Sequence, residues 1–151
     1  MSEENARQRF RIARILLVED NPDDVELVKR ALQRGHVDNP LTVMNNGREA
    51  LDFLLREAGR LDMPPFDLLL LDLTLPGLDG RVLLQEMQAD KRLRRMPVIV
   101  LTGSVREEDW IRAYKTGAVA FLRKPFELER FLATMGDLYG YRILIVKDES
   151  L

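Results

Sequence analysis

Short blocks of consecutive apolar residues alternate along most of this chain with longer stretches in which apolar residues recur every three or four positions. The first texture suits strands covered on both faces and the second suits amphipathic helices. Their alternation predicts an α/β domain with a parallel sheet between helix layers. Strands are expected at about 12–18, 41–44, 68–71, 98–101 and 118–122. The first helix opens at Asn21 as cap and Pro22 as first helical residue, and Asp23 and Asp24 in its first turn suit the helix dipole. Val25, Leu27, Val28, Ala31 and Leu32 form its expected apolar face, and Gly35 ends it. The second helix starts at Gly47 and is expected to bury Ala50, Leu51, Leu54 and Leu55. Further helices are expected at 81–89, 106–116 and 127–138, with Gly117 closing the fourth.

The residues that end the apolar blocks are chemically specific. ILLV runs into Glu19-Asp20, DLLLLD ends on Asp72, VIVLTG delivers Thr102, and AFLRKP delivers Lys124 followed by Pro125. In a parallel sheet these side chains emerge together at the carboxyl edge, where open α/β folds bind ligands. Taken singly, the acid pair could cap a helix, the Thr could satisfy backbone and Lys-Pro could be a turn. Their conjunction at one edge points to magnesium-assisted phosphate chemistry. Mg²⁺ takes oxygen ligands and keeps several waters. Asp20 and Asp72 are expected to ligate it directly, Glu19 through water, and Thr74 through its backbone carbonyl. Asp72 is the expected nucleophile, forming an aspartyl phosphate. Mg²⁺ and Lys124 would neutralise two phosphoryl oxygens, with the Thr102 hydroxyl on the third.

Composition narrows the alternatives. At 151 residues the chain suits one domain. With 23 Lys plus Arg against 25 Asp plus Glu, it lacks the basic field of a general nucleic-acid binder. The absence of cysteine excludes disulfides, zinc-thiolate sites and thiol catalysis. No apolar stretch approaches the ~18 residues of a membrane span. Residues 1–11 read as a polar leader without a signal-peptide core, so a cytoplasmic protein is expected. The one histidine, His36, reads as a solvated loop residue, and the basic segment 91–95 as a solvated loop.

ILLVEDNPDD, LLLLDLTLPGLDG, VIVLTG and AFLRKPF, in this order across 12–138, resemble the receiver domain of two-component response regulators, the CheY-like superfamily. The resemblance implies a flavodoxin-like, doubly wound sheet of strand order 2-1-3-4-5. It implies Glu19 and Asp20 as the acidic pair, Asp72 as the phosphorylation site and Lys124 as the family's lysine, with a cis Lys124–Pro125 bond. Thr102 would be the switch hydroxyl and Phe121 the switch aromatic, reshaping the surface of the fourth helix, fifth strand and fifth helix.

The NPDDVELVKRAL helix, the enlarged second helix and the terminal YGYRILIV segment further resemble single-domain regulators paired with phytochrome-type kinases. A phosphohistidine on such a sensor kinase is the implied donor. Thr74, where that subgroup often has Asn, and Gly103-Ser104 after Thr102 are local departures that bear on the rate of dephosphorylation. Segment 139–151, with its ILIV run, is expected to be a dimerisation arm, because a dangling apolar run invites aggregation. Folding back on the same domain is the alternative. Trp110 and Tyr114, spaced i, i+4, share a helix face that reads either as a second contact surface or as a shield over the helix edge. No turnover of an external substrate is expected. The rival readings are a scaffold without phosphorylation and an aspartate-nucleophile phosphatase, which usually needs a second acid where this chain has Thr74.

Overall fold

The structure is a computed structural model that describes residues 13–103, 106 and 117–139. The leader, residues 107–116 of the expected fourth helix with Trp110 and Tyr114, and residues 140–151 of the C-terminal arm lie outside these residues. In chain order the elements are β1 (Ile15–Val18), α1 (Pro22–Arg34), β2 (Leu41–Met44), α2 (Gly47–Leu61) and β3 (Leu68–Asp72). They continue with α3 (Gly80–Ala89), a 3₁₀ turn (Leu93–Arg95), β4 (Val98–Thr102), β5 (Ala120–Arg123) and α4 (Leu128–Tyr139). The five strands form one sheet in the order β2-β1-β3-β4-β5, every pairing parallel. This is the flavodoxin-like order that the family resemblance implies.

Side chains alternate across a strand, so each buried strand feeds two cores. Leu16, Val18, Leu69, Leu71, Val98 and Val100 join the cluster that includes Ala50, Leu54, Leu83, Leu84 and Met87 of α2 and α3. Ile15, Leu17, Leu68, Leu70, Ile99 and Leu101 join Val28 and Leu32 of α1 and Phe131 and Met135 of α4. Burial on both faces is why these strands read as unbroken apolar blocks.

Four expectations are corrected. Leu27 is 44% exposed and Leu55 is 38% exposed, whereas Val28, Leu32, Leu54 and Ala58 are buried. Each exposed leucine adjoins a buried one, and successive helical residues point ~100° apart. The basic segment 91–95 is not wholly solvated, because its 3₁₀ turn drives Leu93 to 0% exposure. Strand β1 begins at Ile15 rather than near residue 12, since the Arg14 carbonyl is engaged by the N–H groups of Asp67 and Leu68 ahead of the ladder. Strands β4 and β5 reach Thr102 and Arg123, each one residue further than expected, and β5 starts later, at Ala120.

The sheet register positions the chemistry. Val18 pairs with Leu71, so the following residues, Glu19 and Asp72, stand level on neighbouring strands. Asp72 pairs with Leu101, and Thr102 pairs with Arg123. Thr102 and Lys124 therefore each lie one step further along as the sheet is crossed. The strand order reverses between β1 and β3, the point at which such sheets open a crevice.

Candidate functional site

Glu19 leaves β1 almost entirely buried, at 1% exposure. Its Oε1 accepts the Asn21 N–H at 3.2 Å. Asn21 in turn caps α1, its Oδ1 accepting the N–H groups of Asp23 at 2.9 Å and Asp24 at 3.4 Å. The residue that starts the helix thus also fixes the first carboxylate. Asp20, next in the chain, is exposed, and Asp72 is buried with Oδ1 accepting the Thr74 N–H at 3.2 Å. Each of Glu19, Asp20 and Asp72 presents an oxygen within 4.8 Å of the others.

Lys124 reaches into this cluster from beyond β5. Its Nζ lies 2.7 Å from Glu19 Oε2, 2.9 Å from Asp24 Oδ2 and 3.4 Å from Asp72 Oδ2. Its backbone N–H donates to the Thr102 carbonyl at 2.7 Å, tying the lysine to the buried end of β4. The Lys124–Pro125 bond is cis, as expected. Phe121, half-buried on β5, lies against the core shared with α2 and α3. Thr74 is exposed just past Asp72.

The electrostatics follow from burial and crowding. Burial pushes the Glu19 carboxyl up to about 7, the Lys124 ammonium opposing the shift and the Asp72 charge adding to it. For Lys124, burial works against the charged form. The contacts with Glu19 and Asp24 and the charges of Asp72 and Glu19 outweigh it and hold the ammonium well above its ordinary range. Glu19 Oε2 is buried and accepts no hydrogen bond among the described residues, its contact with Lys124 being an ion pair only. Three carboxylates converging on one crevice, with a single ammonium among them, are a donor set suited to a hard divalent cation.

A pH dependence follows. The folded chain keeps a proton on Glu19 between its ordinary value of 4.5 and about 7 that the unfolded chain gives up. Stability without metal therefore falls as pH rises through that window. Cation binding needs the carboxylate and expels that proton. MgCl₂ is expected to raise the melting temperature more at pH 8 than at pH 6. Equal stabilisation at both values would contradict the assignment of Glu19 to the cation site.

The loop after Asp72 is held from two sides. The Gly47 N–H at the start of α2 donates to the Pro76 carbonyl at 3.1 Å, and the Gly80 N–H at the start of α3 donates to the Leu73 carbonyl at 2.9 Å. A Cβ on Gly80 would sit 2.6 Å from the Asp72 carbonyl oxygen and 2.7 Å from Leu73 Cα, so only glycine lets α3 start so close to this backbone.

Two features escaped the sequence reading. The Gly47 anchor depends on the approach of segments far apart in the chain, and the Gly80 anchor on how the loop after Asp72 folds back onto Leu73. Asp24 had a usable signal: it stands four and eight residues before buried Val28 and Leu32, so it shares their sheet-facing side of α1.

The comparisons with known proteins agree with this geometry. The family model described as the response regulator receiver domain matches residues 15–135. The probable methanogenesis regulatory protein FilR2 of Methanothrix harundinacea is 38% identical over 128 residues, covering 84% of this chain and 81% of that protein. Response regulator Rcp1 of Synechocystis is 38% identical over 115 residues, covering 76% and 78%. A crystal structure of the Mn²⁺-bound form of Rcp1 superposes with a TM-score of 0.69 at 34% identity, covering 84% of this chain and 94% of that one. The bacteriophytochrome response regulator AtBRR superposes with a TM-score of 0.72 at 40% identity, covering 84% and 92%. With the strand order, the acidic crevice and the lysine all in place, the chain belongs to the response regulator receiver domain family.

Proposed function

We propose that this chain is a phosphoryl acceptor of a two-component relay, taking the group onto Asp72 from a phosphohistidine of a sensor kinase. The observation that carries the reading is the convergence on Asp72 of two other carboxylates and the Lys124 ammonium, at the sheet's switch point. An Asp72 carboxylate oxygen attacks phosphorus, the P–N bond to the donor imidazole breaks, and its electron pair returns to the ring. A bound Mg²⁺ would neutralise charge on the phosphoryl oxygens, and the Mn²⁺-bound form of Rcp1 supports a divalent cation in such a site. Asp20 and Asp72 would hold it directly, with Glu19 through water and the Thr74 carbonyl as a further ligand. Lys124 would pair with a second phosphoryl oxygen and the Thr102 hydroxyl with a third.

The likeness to AtBRR, a bacteriophytochrome response regulator, favours a phytochrome-type kinase as donor. In this reading Thr102 and Phe121 relay the phosphorylated state to the β5 face, and segment 139–151 joins two copies in a cytoplasmic homodimer. Incubation with Mg²⁺ and a small phosphodonor is expected to add one labile phosphate to the intact mass, and a chelator to abolish the gain. No labile phosphate on protein shown to bind Mg²⁺ would favour the scaffold reading instead.

A further inference from the structure

Lys124 is over-supplied with carboxylates. Three of them lie within 3.4 Å of one ammonium, and Asp24 is the one bound with full hydrogen-bond geometry, at 2.9 Å. Glu19, Asp20 and Asp72 form the group that could hold a cation, and Asp24 stands outside it. Asp24 is delivered by α1, whose Asn21 cap and buried Val28 and Leu32 fix the first turn against the sheet edge. The partner residue of this ion pair is a hundred positions away in the chain, so no local rule requires it.

We propose that Asp24 is a positioning residue that competes with the phosphoryl group for Lys124, holding the lysine in the unphosphorylated site and weakening phosphoryl binding at Asp72. The inference rests on the acceptor reading above. A phosphoryl group on Asp72 brings nearly two negative charges to the Asp72 side of Lys124. Lys124 Nζ then faces Asp24 on one side and the new anion on another. The Asp24 carboxylate partly neutralises the lysine and repels the phosphoryl oxygens directly. Removal of Asp24 does not set Lys124 adrift, because Glu19 Oε2 remains 2.7 Å from Nζ. The loss of competition therefore outweighs the loss of an anchor.

The test titrates fluoroberyllate, a tetrahedral phosphoryl mimic, by calorimetry at saturating Mg²⁺ into wild type, Asp24→Asn and Asp23→Asn. Asparagine is isosteric with aspartate, and a melting curve checks that each variant is folded. Asp23 is the control: it sits in the same first turn and is exposed, so its loss removes equal charge from the helix start. Asp24→Asn is expected to bind the mimic roughly tenfold more tightly, a part-buried charge effect discounted for screening. Asp23→Asn is expected to stay within about twofold of wild type. Unchanged or weaker binding by Asp24→Asn, or equal tightening by both variants, would overturn the proposal while leaving the acceptor reading intact. Failure of wild type itself to bind the mimic would remove the acceptor reading and this inference with it.

Discussion

Asp72→Asn is expected to abolish phosphate incorporation completely while leaving the protein folded. The amide has no anionic oxygen to attack phosphorus, yet it keeps the shape of the side chain. It also keeps an oxygen that can accept the Thr74 N–H now bound at 3.2 Å. Burial is the main reason the Glu19 carboxyl is raised, and the substitution removes the Asp72 charge that adds to it. The metal-free fold should therefore lose little, and Glu19 should titrate closer to its ordinary range. Cation affinity should drop, since one of three carboxylate donors has gone. Intact mass after treatment with Mg²⁺ and a small phosphodonor reads the first outcome, and thermal melts with and without Mg²⁺ read the others. Phosphate retained on the variant would move the acceptor elsewhere, with exposed Asp20 the first place to look.

Phe131→Ala should be the most damaging single truncation away from the site. Phe131 is fully buried on α4, in the core shared by α1, α4 and one face of the sheet. Its ring packs against Phe126 with centroids 5.4 Å apart and planes tilted by 46°. Losing a buried phenyl ring forfeits its transfer free energy and leaves a cavity, together about 3–5 kcal/mol. A domain of this size is typically stable by only about 5–15 kcal/mol, so the urea midpoint should fall steeply with the slope unchanged. Leu27→Ala is the companion measurement. Leu27 was expected in the apolar face of α1 but is 44% exposed, so its truncation should stay within about 0.5 kcal/mol of wild type. A small effect at Phe131 would mean that α4 is not docked as described. A large one at Leu27 would place that residue in an interface.

Much of the architecture was readable because burial on both faces writes itself into composition. Leu68, Leu69, Leu70 and Leu71 could only be a central strand once helices flanked it in sequence, and all four are fully buried. Asn21 and Pro22 announced the start of α1, and the Asn21 side chain caps it. Where the pattern misled, neighbouring apolar residues competed for one helix face. Leu27 beside Val28, and Leu55 beside Leu54, satisfy the same periodicity to within one position, and only docking on the sheet decides between them. Leu93 was hidden among basic residues, and nothing in a window of charges shows that a 3₁₀ turn will swing one leucine inward.

Local pattern was enough to reveal five strands, though not their ends, together with the order of chemistry along the chain and the residue at the end of each strand. Those depend on local pattern: runs, caps and the residue that follows each run. Tertiary structure alone decided how far apart those residues stand and how they are charged. Parallel register sets Glu19 level with Asp72 and brings Lys124 between them. Burial then lifts the Glu19 carboxyl, and the helix docking that buries Val28 turns Asp24 onto the same ammonium. Distance and dielectric are properties of the packed sheet edge, and neither is written in the spacing of residues along a chain.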